Sequence, residues 1–317
     1  MAPDLIGRTV GLSIHALLST VPARAQGTPD PPCEAIGDAL GAAASSSGGV
    51  CRVTFPRGDL GVSLLGADLP AGMGLTSWVA LHRTPEGRAL VMGDLALTPE
   101  ELPRVMSGLR QNGLLVTAVH RHMLNEQPAV VFMHYMAEGD AVALARSLNA
   151  ALERAPSARG RAPATEATAM ENGVVAGMPC ARIEEILDAP AASADQGPGY
   201  CKVTLPRPEG EIIMDGHLVP PSMGIGSWFA FRETRDGRDA VIAGDMALRE
   251  AQVNPAIAAL REQGVEVVAL HNHMLTESPR IVFFHFQARG APEALARALR
   301  AGINAAARIA PVTGARR

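Results

Sequence analysis

The chain has 317 residues, 47% of them apolar and 19% charged, with a formal net charge of −4. That length suits two ordinary domains, each able to bury a core. There are only 7 Phe, 2 Tyr and 2 Trp, so Ala, Val, Leu, Ile and Met must fill most of that core. The mildly acidic balance and the lack of a basic run with interleaved aromatics argue against a nucleic-acid partner.

Residues 1–25 read as a secretory signal. Arg8 precedes an apolar stretch, TVGLSIHALLSTV at residues 9–21, and Ala23-Arg24-Ala25 then offers a small-x-small cleavage pattern. The stretch is too short to span a bilayer, and no later apolar run is long enough for a transmembrane helix. The expected mature protein begins after Ala25 and is periplasmic or secreted. Its cysteines, Cys33, Cys51, Cys180 and Cys201, form one spaced pair per half. In an oxidising compartment the expected bridges are Cys33–Cys51 and Cys180–Cys201. A bridge closing a loop of about 20 residues would contribute roughly 2–4 kcal/mol.

The chain repeats itself. CRVTFPR (51–57) returns as CKVTLPR (201–207), and MGLTSWVALHRT (73–84) as MGIGSWFAFRET (223–234). VMGDLAL (91–97) returns as IAGDMAL (242–248). AVHRHMLNEQPAVVFMH (118–134) returns as ALHNHMLTESPRIVFFH (269–285). A period of roughly 150 residues is domain-sized, which means duplication rather than a solenoid. The expected organisation is a first repeat domain over residues 26–155, a linker over 156–172 and a second repeat domain over 173–310.

Each half has the same predicted order. The segments around Cys51 and Cys201 alternate as strands. The Trp78 and Trp228 segments follow, read as packed sheet anchors with a ligand platform as the alternative. Next come strands ending at Gly93-Asp94 and Gly244-Asp245. A helix follows over 98–113 or 249–264, stopped by Gly113 or Gly264. Pro103 and Pro255 fall early, where a first turn tolerates them if the helix begins just before them. Two strands joined by the NEQP or TESP turn come next, and a second helix closes each half, near 140–154 and 292–307. This order predicts an α+β class: two homologous domains, each a mostly antiparallel sheet with helices on one face. A split βαβ (ferredoxin-like) variant fits, and two such halves can pack as a pseudo-dimer.

Strand alternation puts His271 and His273 on one face, with Asn272 pointing away. A hairpin centred on Ser278 sets His285 opposite His271. The same arithmetic, centred on Gln127, sets His134 opposite His120, with His122 alongside. A single core histidine is usually a satisfied polar residue. Here six of nine histidines form two H-x-H…H arrays. Three imidazoles on neighbouring extended segments suit a divalent transition metal, zinc first, with copper, iron or manganese also accommodated.

Asp245 (with Asp94 in the other half) and Glu277 (with Glu126) stand close by in sequence. Each can be a fourth ligand, a hydrogen-bond acceptor behind a ligand, or a general base, and Asp245 and Glu277 are the candidate catalytic residues. Asp215-Gly216-His217 replaces Leu65-Gly66-Ala67, which adds His217 as a candidate ligand and favours the second half for chemistry. Met123, Met133 and Met274 adjoin candidate ligands and therefore read as core. Phosphate-loop, dinucleotide, HExxH and nucleophile-elbow motifs are absent.

The Gly-Asp element, ALHNHML at 269–275 and FFHF at 283–286 resemble the LppY/LpqO family of bacterial envelope proteins, a domain of unknown function, here in two tandem copies. His271, His273 and His285 match the pattern directly. His120, His122 and His134 match with Arg121 in place of Asn. Some relatives are lipoproteins, but Cys33 follows Asp-Pro-Pro rather than an apolar segment. The resemblance implies an envelope location and no settled activity. The functional expectation is an exported metal-binding protein, in its catalytic form a metalloenzyme activating water or oxygen. The alternative is a small-ligand-binding or structural envelope module whose histidines only hydrogen-bond.

Overall fold

The computed structural model describes residues 30–160, 177–189, 194–197, 199–205 and 210–309. The expected signal segment and residues 161–172 of the expected linker lie outside the described residues.

The first half runs α1 (Cys33–Leu40), β1 (Ala44–Ser47), β2 (Val50–Pro56), β3 (Ser63–Leu64), β4 (Ala67–Asp68), β5 (Thr76–Arg83), β6 (Ala89–Leu97), α2 (Leu102–Gln111), β7 (Leu115–His120), β8 (Val131–Gly139) and α3 (Ala141–Leu152). The second half runs α4 (Cys180–Leu187), β9 (Ala194–Gly197), β10 (Tyr200–Leu205), β11 (Ile213–Met214), β12 (His217–Leu218), β13 (Ser227–Glu233), β14 (Ala240–Arg249), α5 (Glu250–Glu262), β15 (Glu266–His271), β16 (Glu277–Ser278), β17 (Ile281–Gly290) and α6 (Pro292–Ala307). The class is α+β, and the strands of each main sheet pair antiparallel. The two six-stranded sheets have the orders β1-β2-β5-β6-β8-β7 and β9-β10-β13-β14-β17-β15. In each half the long central strand, β8 or β17, lies between the two strands that flank the first long helix.

Local chemistry accounts for several helix limits. Asp140 caps α3 by accepting from the Ala143 amide at 2.8 Å. Gly113 and Gly264 follow α2 and α5 with φ of 79° and 78°, a conformation that favours glycine. Pro103 sits in the first turn of α2. Pro255 does not sit in a first turn. The side chain of Gln252 accepts the Arg249 amide at 2.9 Å, and α5 therefore starts at Glu250 and carries the proline inside it. Two further differences concern β6 and β14. They continue past Asp94 and Asp245 to Leu97 and Arg249, so both aspartates lie in mid-strand. The short helices α1 and α4 and the edge strands β1 and β9 complete each half.

Each six-stranded sheet has two faces with buried core residues. One packs on the helices: Cys51, Val53, Val79, Leu81, Met133 and Tyr135 meet Leu40, Leu109 and Leu148, with an equivalent cluster around Phe231, Phe284 and Phe286. The other face is covered by the opposite half. Ala80, Leu90, Met92 and Met136 pack against Met214, Met223, Ile225 and Phe283. Reciprocally, Ala230, Val241 and Ala243 pack against Leu64, Met73, Leu75 and Phe132. Met123, Met133 and Met274 are fully buried core residues. Truncating Phe132 or Phe283 to Ala would cost about 3–5 kcal/mol.

The cysteine pairs differ. Cys33 and Cys51 are bridged. Cys180 and Cys201 are buried thiols with no bridge between them, which corrects the expected second bridge. The Cys180 thiol donates to Tyr200 O at 3.7 Å and hydrogen-bonds Cys201. Burial pushes it above the usual thiol range, which keeps it protonated.

Candidate metal centre

Gly93 and Gly244 explain why Gly-Asp sits inside a strand. A Cβ at Gly93 would come within 2.2 Å of the Tyr135 hydroxyl, and one at Gly244 within 2.4 Å of the Phe286 ring. The ring occupies the helix-side face, and the next residue, Asp94 or Asp245, takes the opposite face. Asp94 lies directly across from His134, and Asp245 from His285. The hairpin register differs from the sequence expectation by two residues. His134 pairs with Ala118 rather than His120, and His285 with Ala269 rather than His271. A two-residue shift keeps the face, so the histidines still converge.

Alternation does not place His122 and His273, because both lie beyond the ends of β7 and β15. Two contacts fix each of them. Their Nδ1 atoms donate to Gly74 O at 3.2 Å and Gly224 O at 3.1 Å. Their rings stack on Phe132 and Phe283, at centroid distances of 3.3 and 3.5 Å.

The histidines of the two halves meet. His120 stacks on His271 at 3.8 Å, His122 on His285 at 3.9 Å, and His134 lies 3.9 Å from His273. Donor groups close enough to share an ion draw on both halves: His120, His134 and His271, or His120, His122 and His285. Asp245, His271 and His273 form a further group. The residues assemble one composite centre, not a separate one in each half.

Four of the six rings have an assigned tautomer. His134 and His285 donate through Nδ1 to Gly93 O at 3.2 Å and Gly244 O at 2.9 Å, as His122 and His273 do to their carbonyls. A carbonyl oxygen only accepts, so Nδ1 carries the hydrogen and Nε2 keeps its lone pair. Those Nε2 atoms face the carboxylates. His122 and His134 lie 3.5 and 3.9 Å from Asp94 Oδ2, and His273 and His285 lie 3.6 and 3.9 Å from Asp245 Oδ2. Such gaps are long for hydrogen bonds. They match the roughly 3.4 Å between two ligand atoms at opposite corners of a tetrahedral zinc shell with bonds of about 2.1 Å. His120 and His285 approach through their Nε2 atoms at 3.2 Å.

Seven buried polar atoms here have no hydrogen-bond partner among the described residues: Oδ1 of both aspartates, His120 Nδ1, His134 Nε2, His273 Nε2 and both nitrogens of His271. Native interiors carry only a few such atoms per hundred residues. Burial holds all six imidazoles neutral, reinforced at all but His273 by repulsion from neighbouring histidines, with His134 lowered to about 3 and His273 to about 4. Burial also raises Asp94, and it raises Asp245 to about 6. The centre therefore offers neutral nitrogen lone pairs and two carboxylates that are poorly stabilised without a cation.

A cavity of about 570 Å³ opens onto this centre. Its lining includes Asp94, His122, His134, Asp245, His273 and His285, with Trp78 and Trp228 as walls. Each indole reaches into the other half, where a Cβ at Gly224 would come within 2.5 Å of Trp78 and one at Gly74 within 2.8 Å of Trp228. Two lining residues were missed by the sequence reading, Arg52 and Lys202. The available signal was a cation at the same position of both CRVTFPR and CKVTLPR.

Three candidates lie elsewhere. Glu277 is turned to its own loop, where Oε1 accepts the Ile281 amide at 3.2 Å, and Glu126 does the same for Val130 at 3.0 Å. His217 lies in β12, between Glu86 and Glu138 of the first half at 3.6 and 3.7 Å. The preceding Asp215-Gly216, with φ of 51° and 87°, forms the tight turn between β11 and β12.

A family model described as Domain of Unknown Function (DUF1259) matches residues 34–154 and again 181–305. The chain belongs to this family, in two tandem copies. No curated protein matches it. Two solved structures are distantly similar. One is the trimeric bacterial microcompartment shell protein PduB, at 13% identity over 84% of this chain and 90% of that one, with a TM-score of 0.21. The other is EtuB from Clostridium kluyveri, at 8% identity over 83% and 89%, with a TM-score of 0.20.

Proposed function

We propose that this family member is an exported metal-binding protein holding a divalent transition metal, zinc foremost, in the composite centre. One observation carries the proposal. Four histidines are locked by backbone carbonyls so that their unprotonated Nε2 atoms face two buried carboxylates at 3.5–3.9 Å. A cation is the species that would satisfy this donor set. Six imidazoles and two carboxylates are enough for two four-ligand shells. Copper, iron and manganese share part of the preference. The adjoining cavity supports an open coordination position, and hence activation of water or oxygen as the catalytic form of the reading. Asp245 is then ligand or proton acceptor, and Glu277 braces the loop that carries His273.

The alternative, a structural module of hydrogen-bonded histidines, has the His120–His285 contact and the ring stacks in its favour. It leaves the seven orphaned polar atoms without a role. The Cys33–Cys51 bridge and the LppY/LpqO resemblance support export. Among the described residues no helix is long and apolar enough to cross a membrane. The strand order and reciprocal packing support reading each half as a split βαβ unit and the two as a pseudo-dimer, with domains at 26–155 and 173–310 joined through 156–172.

Elemental analysis of protein purified from its native compartment tests the proposal. The expected result is at least one equivalent of metal per chain, lost in a His134→Ala/His285→Ala variant that still folds. Metal-free wild-type protein that also takes up no added zinc would overturn it.

A further inference from the structure

The cavity above the histidines carries two cations that the metal reading does not use. Arg52 lies over the Trp78 ring at 4.2 Å and donates to Ser222 O at 3.3 Å. Lys202 lies over Trp228 at 4.8 Å and donates to Gly72 O at 3.1 Å. The two occupy equivalent strand positions. Each is held between an indole of its own half and a carbonyl of the other. Both line the cavity together with Thr54 and Thr204.

Charge accounting decides what would enter. Among the residues lining the cavity, Arg52 and Lys202 equal Asp94 and Asp245 in number, while the six imidazoles are neutral. Every divalent ion bound at the centre then adds two uncompensated positive charges beneath a partly apolar cavity, an arrangement stabilised by an anion. A carbonyl-bound neutral side chain could staple the halves equally well. Keeping Arg52 cationic there works against burial, which lowers its pKa. A volume of about 570 Å³ lies within the range that holds a metabolite-sized molecule.

We infer that the cavity binds a small organic oxyanion, its carboxylate or phosphate oxygens placed between the metal centre and the Arg52 and Lys202 cations. This inference rests on the metal reading above. The cations act as recognition residues, and the tryptophans hold them in place.

Full-length protein loaded with Co(II) tests it, because the visible d–d absorption reports changes at the ion. The probes are benzoate, phenyl phosphate and the neutral isostere benzamide. Benzoate or phenyl phosphate should perturb the spectrum saturably, while benzamide should not. Whichever binds more tightly identifies the head group. Arg52→Gln and Lys202→Gln should each weaken that binding about tenfold or more with Co(II) stoichiometry unchanged. Arg52→Lys and Lys202→Arg should retain most of it, and circular dichroism checks the fold of each variant. Equal binding of benzoate and benzamide, or folded Gln variants that bind as wild type does, would overturn the inference and leave the metal centre standing. A wild-type chain that takes up no Co(II) would remove both.

Discussion

Asp245→Asn separates the cost of the centre from its use. Asp245 is buried in the face shared with His285, and its carboxyl is raised from 3.8 to about 6 by burial. At about 1.4 kcal/mol per unit, ionised Asp245 costs the folded, metal-free chain about 3 kcal/mol at neutral pH. The sign follows from linkage. A carboxyl raised in the folded state favours folding at pH below its unfolded value near 4, and that contribution is lost as pH rises through about 6. Asparagine keeps the shape and removes the charge. Its own buried amide offsets part of the gain, leaving a stabilisation of about 1–3 kcal/mol. For a chain of this size that is roughly 2–5 °C in Tm. The assay is thermal unfolding followed by circular dichroism at neutral pH, first with chelator and then with excess zinc. In chelator the variant should melt above wild type. In zinc the order should reverse, because wild type gains the larger share of binding energy. A variant that melts below wild type in chelator, or rises as much as wild type in zinc, would refute the reasoning.

Three further outcomes are expected. The metal-free chain should be acid-labile: histidines depressed in the folded state favour folding above about 6.5 and lose that contribution as pH falls toward the values near 4 and 3 of His273 and His134. Partly opposed by the two aspartates, the loss should lower Tm steadily as pH falls, and a Tm that stays flat from neutral pH to about pH 5 would contradict it. Arg57 is fully buried and bonds both Glu101 at 2.9 Å and Asp59 at 3.0 Å, so Glu101→Ala should leave it with Asp59 alone, cost about 1–3 kcal/mol and lower Tm by about 2–5 °C; an unchanged Tm would show the Glu101 pair to be dispensable. Ellman titration of denatured, unreduced protein should find two thiols, Cys180 and Cys201; none would mean that the second bridge forms, and four that neither does.

Much of the fold was legible because the sequence states it twice. The duplication, the central strands and the long helices all follow from period and repetition. The errors have both long-range and local causes. Gly93-Asp94 reads locally as a strand end, yet Tyr135 packing over Gly93 lets β6 continue. Pro255 reads as a first-turn residue, yet Gln252 starts α5 a turn earlier. The hairpin register slipped by two because His122 and His273 leave the strand before the turn. Counting along one half also cannot show that His122 faces His285, or that His120 stacks on His271. The composite nature of the centre was therefore invisible, as were Arg52 and Lys202, whose role needs the cavity formed between halves. Asp215-Gly216-His217 looked chemical because of its composition, although its Asp-Gly pair serves a hairpin turn.

The central claim is that Nε2 lone pairs from both halves and the Asp94 and Asp245 carboxylates surround a common cation. A crystal structure of protein grown with zinc, with anomalous data collected across the zinc edge, tests this most directly. The account predicts an anomalous peak within bonding distance, about 2.0–2.2 Å, of imidazole nitrogens from both halves and of at least one of the two carboxylates. A zinc-replete crystal with no peak there, and with the histidines and aspartates hydrogen-bonded to one another, would contradict it.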